Sequence, residues 1–479
     1  MYLLIDFGST YTKVLAVDVE SETILGRAQA PTTVETSILE GLHHALEKLE
    51  IGGRKLTKEE IQSSKKLASS SAAGGLCVVA IGLVPDLTLE AARKAALGAG
   101  AKIIGSYSFE IDQETIEEIE ETGCDMILLV GGTDGGNKTV IQHNAQMLAE
   151  SKLSVPIIVA GNSKASSKCM QILKAGGKYA VQTENVLPEL DKINVEPVRE
   201  CIREIFMNRI VTAKGLDKAQ DFIGKIAMPT PMATLNAAQL LADGINDVEE
   251  GIGELMVVEV GGATTNIHSV AKGESMGVNV MRKGLPEPYA KRTVEGDLGI
   301  RYNAATILDL VGPTRICRFM NPEYVASDTD VERYIRSLRA NVEHTPENRI
   351  ETEIDVAMAG NAVSIAVERH AGTIKSAWGL SGEIQVLQGK DLTRCKNVVG
   401  TGGVFAYNPY PERILEKALY DENNPMSLKP IHPRLYVDKD YMLYAMGLLS
   451  TVEPLAALHI EKKYLLQNEV DYKENIVND

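Results

Sequence analysis

Met1-Tyr-Leu-Leu-Ile-Asp6-Phe-Gly8-Ser9-Thr10-Tyr-Thr-Lys13 opens the chain and decides how the rest is read. Its apolar run reads as a buried strand, and Asp6 is the first charged residue at its end. Gly8 has no side chain to obstruct a sharp turn or a close ligand. Ser9 and Thr10 add hydroxyls and backbone N–H groups, and Lys13 adds a point charge. Amide donors, hydroxyls and one Lys on a tight turn suit phosphate oxygens, while Asp6 suits hydrated Mg²⁺. On this stretch alone, an ordinary hairpin turn opening an α/β domain explains the pattern equally well.

A second stretch repeats the design: Leu255-Met-Val-Val-Glu259-Val-Gly261-Gly262-Ala-Thr264-Thr265-Asn266-Ile-His268. Aligning Asp6 with Glu259 sets Gly8 on Gly261 and Lys13 on Asn266. A further pair of strand-turn segments comes late in each half. These are Asp125–Gly136, with Gly131-Gly132-Thr-Asp134-Gly135-Gly136, and Asn397–Phe405, with Gly400-Thr-Gly402-Gly403. Two such motifs in the same order in each half predict an internal duplication.

These residues carry a resemblance. Asp-x-Gly-Ser near the start, Gly-Gly-x-Thr-Thr in mid-chain and Gly-Thr-Gly-Gly late resemble the two phosphate motifs and the adenosine motif of the actin, Hsp70 and sugar-kinase superfamily. Lys13, seven residues after Asp6, is similar to the actin-like variant. Within that superfamily the chain resembles the glutamate mutase L family (methylaspartate mutase accessory protein), which is unrelated to the mismatch-repair protein of similar name. The carrying stretches are Gly82–Arg93, Val130–Asn137, Glu295-Gly-Asp-Leu-Gly and Arg369-His-Ala-Gly, and the likeness runs nearly full length.

The resemblance implies an α/β chain with a duplicated actin-like (RNase H-like) two-lobe ATPase fold carrying insertions. The first lobe is expected over 1–245, with an α/β insertion, and the second over 246–479, with C-terminal helices. It also implies ATP or ADP with Mg²⁺ as cofactors, and coenzyme-B12-dependent aminomutase subunits as partners. Asp6 would hold Mg²⁺ through its water shell, with Glu259 its counterpart as a second acid and metal-side residue. Ser9 and Thr10 would contact the β- and γ-phosphates, and Lys13 would balance developing charge. Gly261, Gly262, Thr264 and Thr265 would supply amides and hydroxyls from the other lobe, and Gly400, Gly402 and Gly403 would let the ribose and α-phosphate lie against backbone. Two such loops across a cleft can hold a triphosphate for in-line attack, which needs mainly positioning and charge neutralisation.

Two positions depart from the superfamily pattern. The second phosphate motif usually begins with Asp, and here it begins with Glu259; it often ends with another Asp, and here that position is the neutral Asn266. One lost charge weakens the Mg²⁺ shell and removes a candidate base, so slow hydrolysis, or binding without turnover, is expected. Asp134, Glu295 and Asp297 are candidates to replace the lost acid, although Asp beside Gly is also ordinary turn chemistry.

Composition bounds the alternatives. The 479 residues allow two to four domains, and 44% apolar content is ordinary for a globular chain. Lys plus Arg is 49 against 65 Asp plus Glu, a net charge of −16. That field opposes nucleic acid and anionic membrane surfaces, and an ATP site inside it needs Mg²⁺ and local positive donors. The start lacks a signal peptide's basic region and apolar core, and no apolar run approaches the roughly 20 residues of a bilayer span. The closest cysteines, Cys169 and Cys201, are 32 positions apart, so buried reduced thiols are expected and an iron–sulfur activator is disfavoured. The chain reads as cytoplasmic.

Along the chain, residues 2–30 read as three strands, followed by a helix introduced by the capping box Thr32-Thr-Val-Glu35. Residues 67–75 read as a small-residue turn. Helices and strands alternate over 86–190, predicting a parallel doubly wound sheet. A hairpin is expected over His268–Val280, an exposed peripheral insertion over 321–350, and a buried helix over 354–371 with His370 as a cation against its C-terminal dipole. A long helix from Tyr441, bent at Pro454, closes the pattern. Three functions compete: an ATP-dependent partner of an aminomutase, a small-molecule kinase of the same fold, and a nucleotide-sensing scaffold without turnover. No cobalamin-binding Asp-x-His-x-x-Gly occurs, so B12 would stay on the mutase. The sequence leaves the oligomeric state open.

Overall fold

A computed structural model describes the chain except residues 34–36, 72–75, 211–219, 224–225, 274–279, 325, 380–381 and 473–479. Tyr2–Phe7 is a strand whose six residues are all buried, so it takes the centre of a sheet. Tyr11–Asp18 returns antiparallel beside it and Thr23–Pro31 follows antiparallel again. On the other side Lys65–Ser70 and then Ile226–Pro229 join in parallel.

The second half repeats that arrangement. Leu255–Val260 is central, and Thr265–Val270 and Ala290–Glu295 follow antiparallel. Asn397–Thr401 and Arg434–Val437 join in parallel, and Glu469–Val470 adds an antiparallel edge. The same strand order with the same senses in both halves is the duplicated actin-like fold. We call each sheet with its helices a lobe.

Between the fourth and fifth strands of the first lobe, a five-stranded sheet is inserted in the order Ala180–Gln182, Ile157–Val159, Met126–Leu129, Cys77–Gly82, Lys102–Ser108. All its pairings are parallel, as the helix–strand alternation predicts. Strand alternation sorts its side chains: Val78, Ala80, Met126 and Leu128 join the first lobe's core, while Val79, Ile81, Ile127 and Leu129 face a separate core. This topology corrects one pairing. Gly131–Gly136 follows a strand of the inserted sheet, so the counterpart of Asn397–Thr401 is Lys65–Ser70; of the small-residue turn expected over 67–75, residues 67–70 are strand and 72–75 lie outside the described residues.

The helix after the fifth strand of each lobe, Thr230–Asp243 and Leu443–Leu449, packs against its twin. A Cβ on Gly447 would lie 1.8 Å from the Ala233 carbonyl oxygen, so only glycine allows this crossing. Around it Leu4, Leu15, Leu255 and Val399 build one apolar core shared by both lobes.

Other expectations shift locally. The first helix runs Ile38–Lys48, and the box residues Val34 and Glu35 lie outside the described residues. The His268–Val280 hairpin does not form: Thr265–Val270 stays in the main sheet, while Val280–Lys283 pairs with Gly382–Gln388 in a smaller one. Region 321–350 is not merely peripheral. Its helix Asp328–Leu338 buries Val331, Ile335 and Leu338 in the second lobe's core. The C-terminal helix is two, Leu443–Leu449 and Pro454–Leu465, because Pro454 fits the first turn of a new helix better than the interior of an old one. All six cysteines are free thiols.

Candidate nucleotide cleft

The central strand of each lobe ends at its acid, and the register of both sheets is the same there. Asp6 lies between Lys13 and Ser69, and Glu259 lies between Asn266 and Thr401. The turns match too. Gly8 N–H donates to Tyr11 O at 3.1 Å, and Gly261 N–H donates to Thr264 O at 2.9 Å. A Cβ on Gly8 would lie 2.6 Å from Tyr11 O, which is why the turn takes glycine.

A cavity of about 600 Å³ separates the two turns. Asp6, Gly8, Ser9, Thr10 and Lys13 form one wall, and Glu259, Gly261, Gly262, Thr264 and Asn266 form the other. The walls approach closely: a Cβ on Gly262 would lie 3.3 Å from Thr10 Oγ1. Gly403 lines the rim, where an added Cβ would meet nothing within 4 Å. The segment Val342–Pro346, from the region expected to be peripheral, also borders the cavity.

Asp6 is buried and fully engaged. Lys13 Nζ donates to its Oδ2 at 2.7 Å, and Thr230 Oγ1 and Ser69 Oγ donate to its Oδ1 at 2.5 and 3.3 Å. Burial alone would lower the Lys13 pKa, but the Asp6 carboxylate outweighs it and raises it, so the ammonium holds its charge. The ring of Tyr441, from the other lobe, lies 4.5 Å from Nζ and adds a cation–π contact.

Glu259 is held differently. Asn266 Nδ2 donates to its Oε2 at 3.1 Å, and His268 Nε2 lies 3.3 Å from the same oxygen. Burial depresses the His268 pKa despite Glu259, and burial would raise Glu259, but His268, Arg292 and Lys13 lower it. The pair is therefore a carboxylate and a neutral imidazole at neutral pH. Asn266 Oδ1 accepts from Arg292 at 2.8 Å, and Arg292 also donates to the carbonyls of Leu97 and Ala101 at 2.9 and 3.0 Å. Those carbonyls close the C-terminal end of the inserted domain's helix Glu90–Gly98, where a cation is favourable. Burial pulls Arg292 down to about 10, still protonated at pH 7.

Arg301 brings a third cation to the cavity wall, paired with Asp355 at 2.6 Å. Lys13, Arg292 and Arg301 supply the local positive donors that an anion needs in a chain of net charge −16. Thr230, Arg292 and Arg301 escaped the sequence reading. Thr230 sits in Met228-Pro-Thr-Pro231, which reads as a helix stop, and Arg292 in mid-strand gives no signal.

Six of the candidate residues do not line the cavity. Thr265 is buried, donating from Oγ1 to Leu298 O at 2.7 Å, and Gly400 packs against the Phe405 ring. Gly402, at φ 110°, lies 2.3 Å by its would-be Cβ from Val260 O, so it shapes the loop from behind. Asp134 stands at the end of the inserted sheet, accepting from Ser163 N at 2.8 Å and Asn185 Nδ2 at 3.0 Å. Glu295 and Asp297 pair with Arg369 at 2.5 and 3.4 Å. These three acids have structural partners and do not line the cavity.

The chain matches the MutL protein family over residues 2–465. It is 48% identical over 466 residues to Protein MutL of Clostridium tetanomorphum, covering 97% of this chain and 99% of that one. Among solved structures it is similar to the ethanolamine utilization protein EutJ from Carboxydothermus hydrogenoformans, at 10% identity over 95% of this chain and 89% of that one with a TM-score of 0.25. A carbohydrate kinase from Novosphingobium aromaticivorans gives 11%, 95%, 91% and 0.29. The near-complete family match and the 48% identity show that the chain belongs to the MutL protein family, the glutamate mutase L family.

Proposed function

We propose that this chain is an ATP- and ADP-binding accessory factor of an adenosylcobalamin-dependent aminomutase of the glutamate mutase type. In this reading nucleotide-driven lobe movement loosens the mutase and releases damaged cobalamin. The observation that carries the nucleotide part is the pair of matching Gly turns facing each other across one cavity, with Gly262 against Thr10. The partner comes from membership of the family.

The donor set suits a nucleotide. Backbone amides at Gly8–Thr10 and Gly261–Thr264 and the hydroxyls of Ser9, Thr10 and Thr264 border the cavity, and Lys13, Arg292 and Arg301 supply charge. Among the described residues no group of three or more His, Cys, Asp or Glu is arranged to hold a metal directly. That suits Mg²⁺, which is commonly held by one or two carboxylates with waters and substrate phosphates. Asp6 and Glu259 are the residues that would face it, and bound Mg²⁺ would neutralise phosphate charge. The helix pair shared by the two lobes is the joint about which a bound nucleotide would change their angle.

One observation favours a variant of this reading, a sensor with little or no turnover. Asp6 is engaged at both oxygens by Lys13, Thr230 and Ser69, while Asn266 and His268 both meet Glu259 at Oε2, so of the two motif acids only Glu259, through Oε1, has an oxygen left to take a proton from water. A small-molecule kinase would need such a base for its substrate hydroxyl. The test is recovery of a mutase inactivated by turnover, given fresh adenosylcobalamin, Mg²⁺-ATP and this protein. Recovery that needs all three is expected. Equal recovery without this protein would overturn the reading, and recovery with a non-hydrolysable ATP analogue would select the sensor.

A further inference from the structure

Asp6 and Glu259 hold the same register position in the two sheets, but the bonds they already make set them apart toward a cation. A carboxylate offers about four lone-pair sites, two on each oxygen. Asp6 uses three of them: Lys13 meets Oδ2, and Thr230 and Ser69 meet Oδ1. Its side chain is 1% exposed and that of Lys13 is 15%, so the first wall presents an ammonium to the cavity and not a carboxylate. The Tyr441 ring beside Nζ favours a cation at that place as well.

Glu259 uses two sites, both on Oε2, where Asn266 and His268 meet it. Oε1 takes no hydrogen bond among the described residues, and the side chain is 14% exposed on the cavity it lines. The extra methylene of Glu accounts for the difference in reach: from the same place in the ladder, its carboxyl stands farther from the backbone than that of Asp6. Asn266, itself held by Arg292 at 2.8 Å, and the buried His268 fix Oε2 and so fix where Oε1 stands.

The cleft is therefore polar across its width, with a cation on the first wall and an open carboxylate oxygen on the second. Arg292 and Arg301, the cations of the second lobe, are already turned to Asn266 and Asp355. A Mg²⁺–nucleotide complex has both matching faces, bare phosphate oxygens and a metal. Mg²⁺ needs only one or two carboxylates beside phosphates and water.

Resting on the nucleotide reading, we infer that the metal of the bound complex is held from the second lobe by Glu259 Oε1, and that Asp6 reaches the nucleotide only through Lys13. Asn266 and His268 are then positioning residues. The experiment compares calorimetric ADP affinity in Mg²⁺ and in EDTA for the wild type and two variants. Glu259→Gln keeps an acceptor oxygen for Asn266 and His268 and sets an amide in place of Oε1. Asp6→Asn with Lys13→Met keeps an acceptor for Thr230 and Ser69 and removes the ion pair. In the wild type Mg²⁺ should tighten ADP binding by a factor within the usual coupling range of about 5–150. Glu259→Gln should abolish that factor, whereas the double variant should bind ADP more weakly in both conditions and keep it. Mn²⁺ retained with ADP, read from the loss of the free-ion EPR signal, should fall in Glu259→Gln and persist in the double variant. Where the heat is too small, melting temperatures at millimolar ADP with and without metal give the same comparison. A factor that survives in Glu259→Gln, or is lost in the double variant, overturns the assignment. Wild-type ADP binding indifferent to Mg²⁺ overturns it too and leaves the nucleotide reading standing. No ADP binding in either condition overturns both.

Discussion

Asp6 and Glu259 end the central strands of two sheets with the same order and register, yet they are neutralised in different ways. Asp6 draws its donors from its own lobe: Lys13, Ser69 and Thr230. Glu259 leans on Asn266 and a neutral His268, and the chain of bonds runs through Arg292 into the inserted domain of the opposite lobe. Both halves keep the same backbone turn, and in the proposed reading its amides would meet a ligand's phosphates from both walls. The charge was redistributed, so the first lobe's acid takes all its hydrogen bonds from its own lobe, with the Tyr441 ring of the other lobe only beside Lys13, while the second holds its acid with a cation anchored across the cleft. Opening the lobes would leave the Asp6–Lys13 pair intact and would strain the bonds of Arg292.

The largest effect should come from breaking the self-contained pair. Asp6→Ala leaves Lys13 buried without its carboxylate and should cost about 3–5 kcal/mol in urea unfolding. Adding Lys13→Met should recover much of it, whereas equal stability of both variants would mean the pair carries no energy. Next comes the crossing. Arg292→Met orphans the Leu97 and Ala101 carbonyls and Asn266 Oδ1, and should cost about 2–3 kcal/mol. An unchanged unfolding midpoint would reduce the link between the lobes to a contact without energy.

pH separates the two lobes further. Burial lowers His268 and pushes His370, bonded to Thr293 and Ser269, well below the ordinary value. Groups with depressed histidine values bind fewer protons folded than unfolded, so their stability is lost as pH falls below about 6.5. His370→Gln should therefore flatten the acid limb, by about 2 kcal/mol between pH 6.5 and 5. The first lobe behaves oppositely: the raised Lys13 value contributes stability that is lost only as pH rises past the ordinary lysine range. An acid limb unchanged in His370→Gln would assign that loss of stability to other groups. His370, expected as a cation against the C-terminal dipole of its helix, is instead neutral, because burial and then the nearby Lys291 and Lys390 disfavour its charge.

The smallest effect concerns Asn266. The amide is used at both ends, donating to Glu259 and accepting from Arg292, and an aspartate there has no donor. Asn266→Asp should cost about 1 kcal/mol at pH 8. The two carboxylates would share a raised value, so the cost should shrink as pH falls toward 5. If the variant instead gains Mg²⁺-dependent ATP turnover, the missing charge, and not the bridge, is what matters at this position.

The fold was legible where short-range chemistry decides structure. Tyr2–Phe7 and Leu255–Val260 announce buried strands, and an acid, a glycine and hydroxyls after each announce the turn. Strand partnership was not legible. Gly131–Gly136 mimics Gly400–Gly403 in sequence, but only pairing across the sheet reveals that it belongs to an inserted domain. The same limit hid the 268–280 segment, whose two strands go to different sheets. In the site, Lys13 could be found because it lies seven residues from Asp6, across one hairpin. Thr230 and Arg292 could not, since their bonds span long chain separations and depend on how lobes and insertion pack.

The central claim is that both homologous turns grip one nucleotide, and Gly262→Val tests it most directly. The new side chain would fill the gap toward Thr10 Oγ1 without forcing the backbone, since Gly262 lies outside the left-handed region. Calorimetric titration with Mg²⁺-ATP and Mg²⁺-ADP should show binding to the wild type and at least about a tenfold loss in the variant, 1.4 kcal/mol or more, at an unchanged melting temperature. Equal affinity in the two proteins, or no heat from either at millimolar nucleotide, would contradict the account.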